Sequence, residues 1–457
     1  MVEQALLNLI NRQRQLRPPQ KDTITTMAVF SEATKRFLLA AKHAEIHALN
    51  QLASNCKLVT SVKDMIHQLQ RERGISNVYL ASKGERFGQQ REDQIADSNF
   101  AEQTLRSQLK SLYLSGDESA ANMRLLVSIT MALQGLDNLS SLRDQVAEKA
   151  LTSLESTQAY CRLVTGLLSV IFEAADVASD PDITRLLVAL FNFLQGKELA
   201  GQERAWGAIG FAETHFNKSL CDRLEQLQQD QQHSFDIFTA FADPQTLQQW
   251  EDICQSDAQA DLTRLRTMIK QLADGSPIDG QISEVWYDIA TTRIDAMQSI
   301  DEALTAKLIS LATELVSRAD AELKNHHQRV KTLEQQPNPT GTPLTMLFDP
   351  QMPGLRGSEM SGPDTISNAE NLSAHRSFYD LLCDQTEHIK NMSVALEEAR
   401  QAITDQKCID RAKLLIMQQW QLTEDQAYRR LQKTAMDQNC RLIDVAERVV
   451  KATSGSK

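Results

Sequence analysis

Apolar residues recur along most of this chain at alternating intervals of three and four, the spacing that places them on one face of an α-helix. Residues 282–336 contain neither glycine nor proline, and the pattern there predicts one long helix. Its apolar face comprises Met297, Ile300, Leu304, Leu308, Leu311 and Leu315. The pattern predicts an all-α protein whose long amphipathic helices form an elongated bundle.

Breaks in the pattern predict four segments. Residues 1–26 are expected to be a weakly ordered leader, and residues 27–334 a helical bundle whose helices are joined by short polar loops. Residues 335–372 are rich in proline and glycine, as is typical of a linker. Residues 373–457 are expected to form a coiled-coil helix followed by a compact three-helix module.

The segment after the linker carries a seam with the 4-3 spacing of a coiled coil. Its positions are Phe378, Leu382, Gln385, Ile389, Met392, Leu396, Ala399 and Ile403, of which only Gln385 is polar. Such a seam predicts a homodimer. Packing of the same face within one chain is the alternative.

Charge is distributed unevenly between the two ends of the protein. The net charge is -12, but residues 400–457 hold 11 Lys and Arg against 7 Asp and Glu, a net of +4, which leaves -16 on residues 1–399. A basic tail on an acidic body indicates that the tail binds a polyanion. A solvated helical surface is the plainer interpretation of the same excess.

Two further features of composition bear on location. The seven cysteines form no C-x-x-C pair, which favours a reducing, cytoplasmic environment over a disulfide framework or a zinc site. The longest apolar run is about half of the roughly 20 residues that a membrane helix needs. We therefore expect a cytoplasmic protein with no membrane partner and no metal.

A charged residue interrupts one of the apolar faces. At 100° per residue, Val62, Met65, Ile66, Leu69 and Leu80 form a stripe. Arg73 falls in the middle of this stripe, whereas Arg71 points to the opposite side. Arg73 is therefore predicted to be directed into the core, where an unpaired charge costs several kcal/mol.

The same arrangement occurs a second time. The sequence ERGISNVYLA, which begins at Glu72, aligns without gaps with ERAWGAIGFA, which begins at Glu203. Arg204 again lies on an apolar stripe. Two facing guanidinium groups repel, so a planar oxyanion between them would be an effective partner. The alternative is that each arginine pairs with a carboxylate, such as Glu72, Glu203 or a neighbouring acid.

The segments QLQRERGISNVYLASKG and GKELAGQERAWGAIGF resemble the two signature helices of the NIT family, a helical domain that senses nitrate and nitrite in bacterial regulators. The resemblance covers roughly residues 27–334. It implies that Arg73 and Arg204, the arginines of the two Glu-Arg motifs, bind the anion. Nitrate or nitrite would be an effector ligand, and no cofactor is expected.

The tail sequence IDRAKLLIMQQWQLTEDQAYRRLQKTAMDQNCRLIDVA is similar to the ANTAR family, whose members bind paired RNA hairpins in leader transcripts. The family's Gly after the Ala-Lys pair is Leu414 here, and Gln406 stands where the family often has arginine. Lys413 and Arg441 carry over as polar RNA contacts. The predicted basic face as a whole comprises Lys407, Arg411, Lys413, Arg429, Arg430, Lys433 and Arg441.

Together the two resemblances imply a regulator that binds leader-RNA hairpins and causes transcription antitermination when the anion occupies the sensor domain. The alternative is a helical sensor for another small ligand with a DNA-binding output module. No phosphate-binding loop or nucleophile elbow is present, so an enzyme is not expected. Nitrate is expected to relieve the repulsion between the arginines and release the basic module from the acidic body.

Overall fold

The computed structural model describes residues 32–113, 123–212, 216–272, 282–335, 372–422, 424–438 and 440–454. The predicted leader at residues 1–26 lies outside the described residues. So does the predicted linker, apart from its two end residues.

Thirteen helices make up nearly all of the described part of the chain, which contains no strand. The all-α prediction is confirmed. In chain order the helices are α1 (Glu32–Ala81), α2 (Gly88–Tyr113), α3 (Met123–Asp137), α4 (Leu139–Ala147), α5 (Ser153–Val177), α6 (Pro181–Ala212), α7 (Lys218–Phe241), α8 (Pro244–Cys254), α9 (Asp257–Gln271), α10 (Ile282–Gln335), α11 (Leu372–Trp420), α12 (Glu424–Asp437) and α13 (Leu442–Ser454). Of these helices, none is both long enough and apolar enough to cross a membrane.

Helix boundaries follow local capping chemistry. At the start of α5, Thr152 and Glu155 form a reciprocal capping box in which each side chain accepts from the other's backbone N–H. Asp243 caps α8 ahead of Pro244, and Ser256 caps α9. These polar side chains fix the first residues of α5, α8 and α9.

The chain divides into two compact units. One comprises the described residues within 1–45 and 319–388, and the other those within 46–318 and 389–457. Both Glu-Arg motifs and the C-terminal module belong to the second unit.

The main core of the second unit is built from the stripes that the sequence predicts. All five apolar residues of the Val62–Leu80 stripe are buried, and so are most of those on α6. On α10, Met297, Ile300, Leu304 and Leu308 are fully enclosed. Each such side chain contributes about 1.5–3 kcal/mol relative to exposure, so these faces hold α1, α6 and α10 together.

The C-terminal end of α11 packs with α12 and α13 in a small separate core. Its buried members are Ile409, Ala412, Ile416, Ala427, Leu431, Ala435, Val445 and Ala446. The predicted three-helix module is thus present. The predicted outward positions Arg429, Arg430 and Lys433 are exposed on α12.

The predicted coiled-coil seam lies on α11. Its side chains from Phe378 to Ile389, and those of Met392 and Ala399, lie outside the described part of the structure. Ile403, the last seam residue, is 3% exposed and belongs to the main core. At this position the seam packs within one chain, while the dimer stays a prediction.

Candidate functional site

Arg73 lies inside the bundle with only 1% of its surface exposed, as its position on the apolar stripe predicts. Its Nη1 forms an ion pair with Oε1 of Glu198 on α6 and donates to Sγ of Cys161 on α5 at 3.0 Å. Burial by itself lowers the pKa of Arg73, but the Glu198 carboxylate outweighs it and the pKa is raised. The guanidinium is therefore permanently charged.

Glu198 is the centre of a small polar cluster. Besides Arg73, its Oε1 accepts a hydrogen bond from Nε2 of Gln202 at 3.1 Å, and its Oε2 accepts from Nε2 of Gln70 at 3.0 Å. The residue is 3% exposed. Three donors thus hold the carboxylate in place on α6.

Arg204 stands in a different environment. Its Nη1 donates to Oγ1 of Thr291 at 2.9 Å, and its guanidinium lies 4.8 Å from the ring centre of Tyr287, both on α10. It makes no salt bridge with any described carboxylate. Burial lowers the pKa of Arg204; Tyr287 acts in the opposite direction, and the positive charge of Arg73 lowers it further. The two cations therefore act on each other electrostatically.

Glycines allow the two arginines to approach the opposite helix. A β-carbon on Gly201 of α6 would lie 2.5 Å from Nη2 of Arg73, closer than real β-carbons come. A β-carbon on Gly74 of α1 would lie 3.1 Å from Nη2 of Arg204. Each motif arginine thus reaches across to a glycine of the partner helix.

The glutamates of the two motifs do not neutralise the motif arginines. Glu72 is gripped by Arg143 of α4, whose Nε and Nη2 donate to its two oxygens at 2.7 and 2.9 Å. Glu203 is gripped in the same forked way by Arg266 of α9 at 2.8 and 2.6 Å. The alternative that a carboxylate pairs with each motif arginine therefore holds for Arg73, through Glu198, but neither Glu72 nor Glu203 is the partner, because separate arginines occupy both.

The balance of charge at the two motif arginines is positive. Only one of the two guanidinium groups, that of Arg73, has a carboxylate partner among the described residues, and its Nη2 is buried there with no hydrogen-bond partner. Leaving a buried donor without a hydrogen bond costs about 1–3 kcal/mol. A small oxyanion at this point would supply both the missing acceptor and the missing negative charge.

The predicted basic face of the tail divides into two groups. Lys407 faces α5, where its Nζ lies 2.6 Å from Oδ2 of Asp176. Arg429 donates from Nη2 to the backbone oxygen of Asp222 on α7 at 2.9 Å. The remaining candidates lie in the C-terminal module, where Arg411, Arg430, Lys433 and Arg441 are exposed and the side chain of Lys413 is only 17% exposed.

Within this second group the side chains differ in their contacts. Lys413 pairs with Asp410 at 2.8 Å and Arg441 with Asp444 at 2.9 Å. The guanidinium of Arg430 lies 4.1 Å from the ring centre of Trp420. Arg430 and Arg441 stay exposed in these contacts, whereas Lys413 is largely covered.

Several residues of the site are not signalled by the sequence pattern. Glu198 is 125 positions from Arg73, and Arg143 is 71 positions from Glu72. Helical periodicity relates residues within one helix and is silent on partners from another. Gly201 carried one available signal, since a glycine inside a long helix often marks a close approach.

Comparison with known proteins adds the family context. Residues 64–309 match the model of the family described as nitrate and nitrite sensing, NIT, and residues 397–450 match the ANTAR domain. The chain is 28% identical over 409 residues to a nitrate regulatory protein of Klebsiella oxytoca, covering 89% of this chain and 92% of that one. A solved structure of the NasR transcription antiterminator covers 93% of this chain and all of its own, with 26% identity and a TM-score of 0.56.

Proposed function

Because the chain belongs to the NIT family and carries an ANTAR domain, we propose that it is a nitrate-responsive regulator that binds leader RNA and causes transcription antitermination. The observation that supports the sensing half is the pair of motif arginines, of which only Arg73 has a carboxylate partner among the described residues. The protein is a regulator and not an enzyme.

Nitrate or nitrite is proposed to bind at Arg73 and Arg204. Both anions are planar and monovalent, and they match the forked N–H donors of a guanidinium. The net positive charge of the cluster and the unpartnered Nη2 of Arg73 support this assignment. Thr291 and Tyr287 are available as hydroxyl donors beside Arg204.

The C-terminal module is proposed to bind paired hairpins of a leader transcript through its basic face. Arg411, Arg430, Lys433 and Arg441 are exposed there and can reach phosphates. Two copies of the chain, joined through the α11 seam, would present two such faces to two hairpins.

Coupling between the halves is proposed to run through the contacts that Lys407 and Arg429 make with the acidic helices α5 and α7. Both residues belong to the predicted RNA-binding face, so RNA and the sensor compete for them. A ligand with micromolar affinity supplies about 8 kcal/mol in total, of which only the difference between conformations drives release.

The proposal is tested by titrating the full chain with nitrate while RNA binding to a tandem hairpin leader is measured. Arg73→Ala is expected to abolish the response to nitrate. Arg71→Ala is the matched control, since Arg71 is on the same helix, two residues away, and is exposed. It should respond as the wild type does.

Two results would overturn the proposal. A folded Arg73→Ala protein with an unchanged nitrate response removes the anion site. Tighter binding to duplex DNA than to the RNA hairpins at matched salt concentration replaces the RNA output with a DNA-binding one.

A further inference from the structure

The anion site already contains a negative charge that belongs to the protein itself. We propose that Glu198 is an internal competitor of the ligand: its carboxylate occupies Arg73 in the unliganded protein, nitrate must displace it, and its charge sets the affinity and anion selectivity of the site. This inference rests on the proposed function, because it assumes that nitrate binds at Arg73.

The hydrogen bonds of Arg73 support direct competition. A planar oxyanion uses a guanidinium best when it accepts from two of its nitrogens at once. Nη1 of Arg73 is engaged by Glu198, and Nη2 is buried without a partner among the described residues. An anion that binds both terminal nitrogens of Arg73 therefore has to take Nη1 from the glutamate.

The packing around Arg73 leaves no easy way to accommodate both partners. Nη2 of Arg73 lies so close to α6 that a β-carbon on Gly201 would be 2.5 Å away. Glu198 is itself 3% exposed and is held by Gln70 and Gln202. An arriving anion and a retained carboxylate would bring two negative charges into contact inside the core, which is strongly unfavourable.

The position of Glu198 on α6 connects displacement to helix movement. Glu198 precedes Arg204 by six residues, a rise of about 9 Å along the same helix. When the anion takes Arg73 from Glu198, α6 loses a bond that fixes it to α1, and the anion joins α1 to α6 through Arg204 instead. The exchange replaces one connection between these helices with another of different geometry.

The charge of the competitor also provides selectivity. A carboxylate excludes anions that interact weakly with guanidinium groups, because they cannot compensate for its displacement. Without that charge, the two arginines would attract any small anion, including chloride. Glu198 therefore weakens the binding of every anion, and it excludes those whose interaction with the arginines is too weak to displace it.

The test is calorimetric titration of the full chain with sodium nitrate and with sodium chloride. Glu198→Gln keeps the length and an acceptor oxygen but removes the charge, and it is expected to bind nitrate at least about tenfold more tightly than the wild type. Binding of chloride should become measurable in the same variant. A gain in affinity is a readout that simple loss of structure does not produce.

Asp301→Asn serves as the matched control. Asp301 is 2% exposed and pairs with Lys197, the residue directly before Glu198. It lies ten residues beyond Thr291 on α10, about 15 Å along the helix. Its removal should leave the nitrate affinity within about twofold of the wild type.

The results distinguish failure of the competitor role of Glu198 from failure of the anion site itself. Equal or weaker nitrate binding by folded Glu198→Gln, together with loss of binding in Arg73→Ala, overturns the competitor role and leaves the site intact. Wild-type nitrate affinity in Arg73→Ala overturns the site and the competitor role together. If Glu198→Gln does not fold, Glu198→Asp, which draws the carboxylate back from Arg73, should still tighten binding, and unchanged affinity overturns the inference.

Discussion

The two motif arginines hold equivalent positions in the two sequence motifs, but they have different bonding partners. Arg73 has a carboxylate partner and Arg204 has a hydroxyl and an aromatic ring. Removing one member of a buried ion pair strands the other, whereas removing a cation that lacks a carboxylate strands no charge. The two arginines therefore contribute differently to stability while both are proposed to contribute to sensing.

Arg73→Ala is expected to lower the free energy of unfolding by about 3–5 kcal/mol, because Glu198 is left buried and charged. Arg204→Ala is expected to cost only about 1 kcal/mol, the scale of one hydrogen bond and one stacking contact. Urea denaturation of the two variants measures the difference. Equal losses would contradict the bonding asymmetry, and nitrate binding should be lost in both.

Substitution of Gly201 is expected to impair nitrate binding as strongly as substitution of a charged residue of the site. Gly201→Ala would place a β-carbon 2.5 Å from Nη2 of Arg73, so the guanidinium must move and the anion site is distorted. We expect Gly201→Ala to weaken nitrate binding by at least about tenfold. Calorimetric titration with nitrate measures this loss of affinity.

Gly166→Ala is the control for that substitution. Gly166 also lies within a helix, α5, but a β-carbon there would meet only the Cα of Ala132 at 3.9 Å, an ordinary contact. This variant should bind nitrate normally and be more stable by about 0.5–1 kcal/mol, since alanine favours helix. Normal nitrate binding by Gly201→Ala would show that Arg73 does not need its present position.

The sequence could predict which residue is unusual but not what satisfies it. Arg73 lies on an apolar stripe and Arg71 does not, and their burial follows that prediction. The partner Glu198 could not be found in the same way. Four helices separate it from Arg73 along the chain. Which acid meets Arg73 depends on how distant helices pack, and helical periodicity within one segment does not predict that.

At the scale of helices, the repeated Glu-Arg motif corresponds to a repeated ion pair, or tie, between two helices. In the first half Arg143 on α4 grips Glu72 on α1, and in the second Arg266 on α9 grips Glu203 on α6. In both halves a peripheral helix is fixed to the helix that carries a Glu-Arg motif. The ties keep both glutamates away from the neighbouring arginines, which preserves the positive charge of the site.

The two ties differ in their support, and this difference can be measured. When Arg266 is removed, Glu203 keeps hydrogen bonds from Gln228 and Gln231. When Arg143 is removed, Glu72 keeps only the hydrogen bond from Tyr160 within the described part of the chain. We expect Arg143→Ala to cost about 3–5 kcal/mol and Arg266→Ala clearly less. Urea denaturation compares them.

A double variant provides the control for the first tie. Glu72→Gln combined with Arg143→Met removes both charges, and replacing a buried ion pair with uncharged groups is often close to neutral. The double variant should therefore be more stable than Arg143→Ala. If it is equally unstable, the cost of Arg143→Ala arises from lost volume and not from a stranded carboxylate.

Helix extents were more predictable than helix contacts. The run free of glycine and proline from residue 282 to 336 became α10, Ile282–Gln335. The seam on α11 predicts a dimer contact, and its last residue, Ile403, packs beside Phe172 and Phe191 of the same chain. A 4-3 spacing specifies an apolar helix face, and it does not specify whether the partner face belongs to a second copy.

For the molecule as a whole, the uneven charge of the sequence has a structural counterpart. Contacts between α11 or α12 and the sensor helices join cations of the tail to acceptors of the body, as with Lys407 and Asp176 or Arg429 and Asp222. Arg400 likewise donates to the backbone oxygen of Ala178 at 2.8 Å. The Arg429 contact is exposed and contributes about 0–1 kcal/mol, whereas Lys407 and Asp176 are each only about a quarter exposed, so release of the tail depends mainly on the Lys407 pair.

Asp176→Asn therefore tests the coupling without altering any candidate RNA contact. Losing the 2.6 Å ion pair leaves Lys407 only a longer approach to Glu173, at 3.9 Å, and we expect RNA affinity without nitrate to rise about two- to fivefold, the equivalent of a partly exposed ion pair. Asp144→Asn, at an exposed acid of α4, removes the same charge elsewhere and should leave affinity unchanged. An equal rise in both variants would mean that general repulsion between the acidic body and RNA, not the Lys407 contact, restrains the output. A rise in Asp176→Asn alone, largely erased when nitrate is present, is what a competition for Lys407 requires.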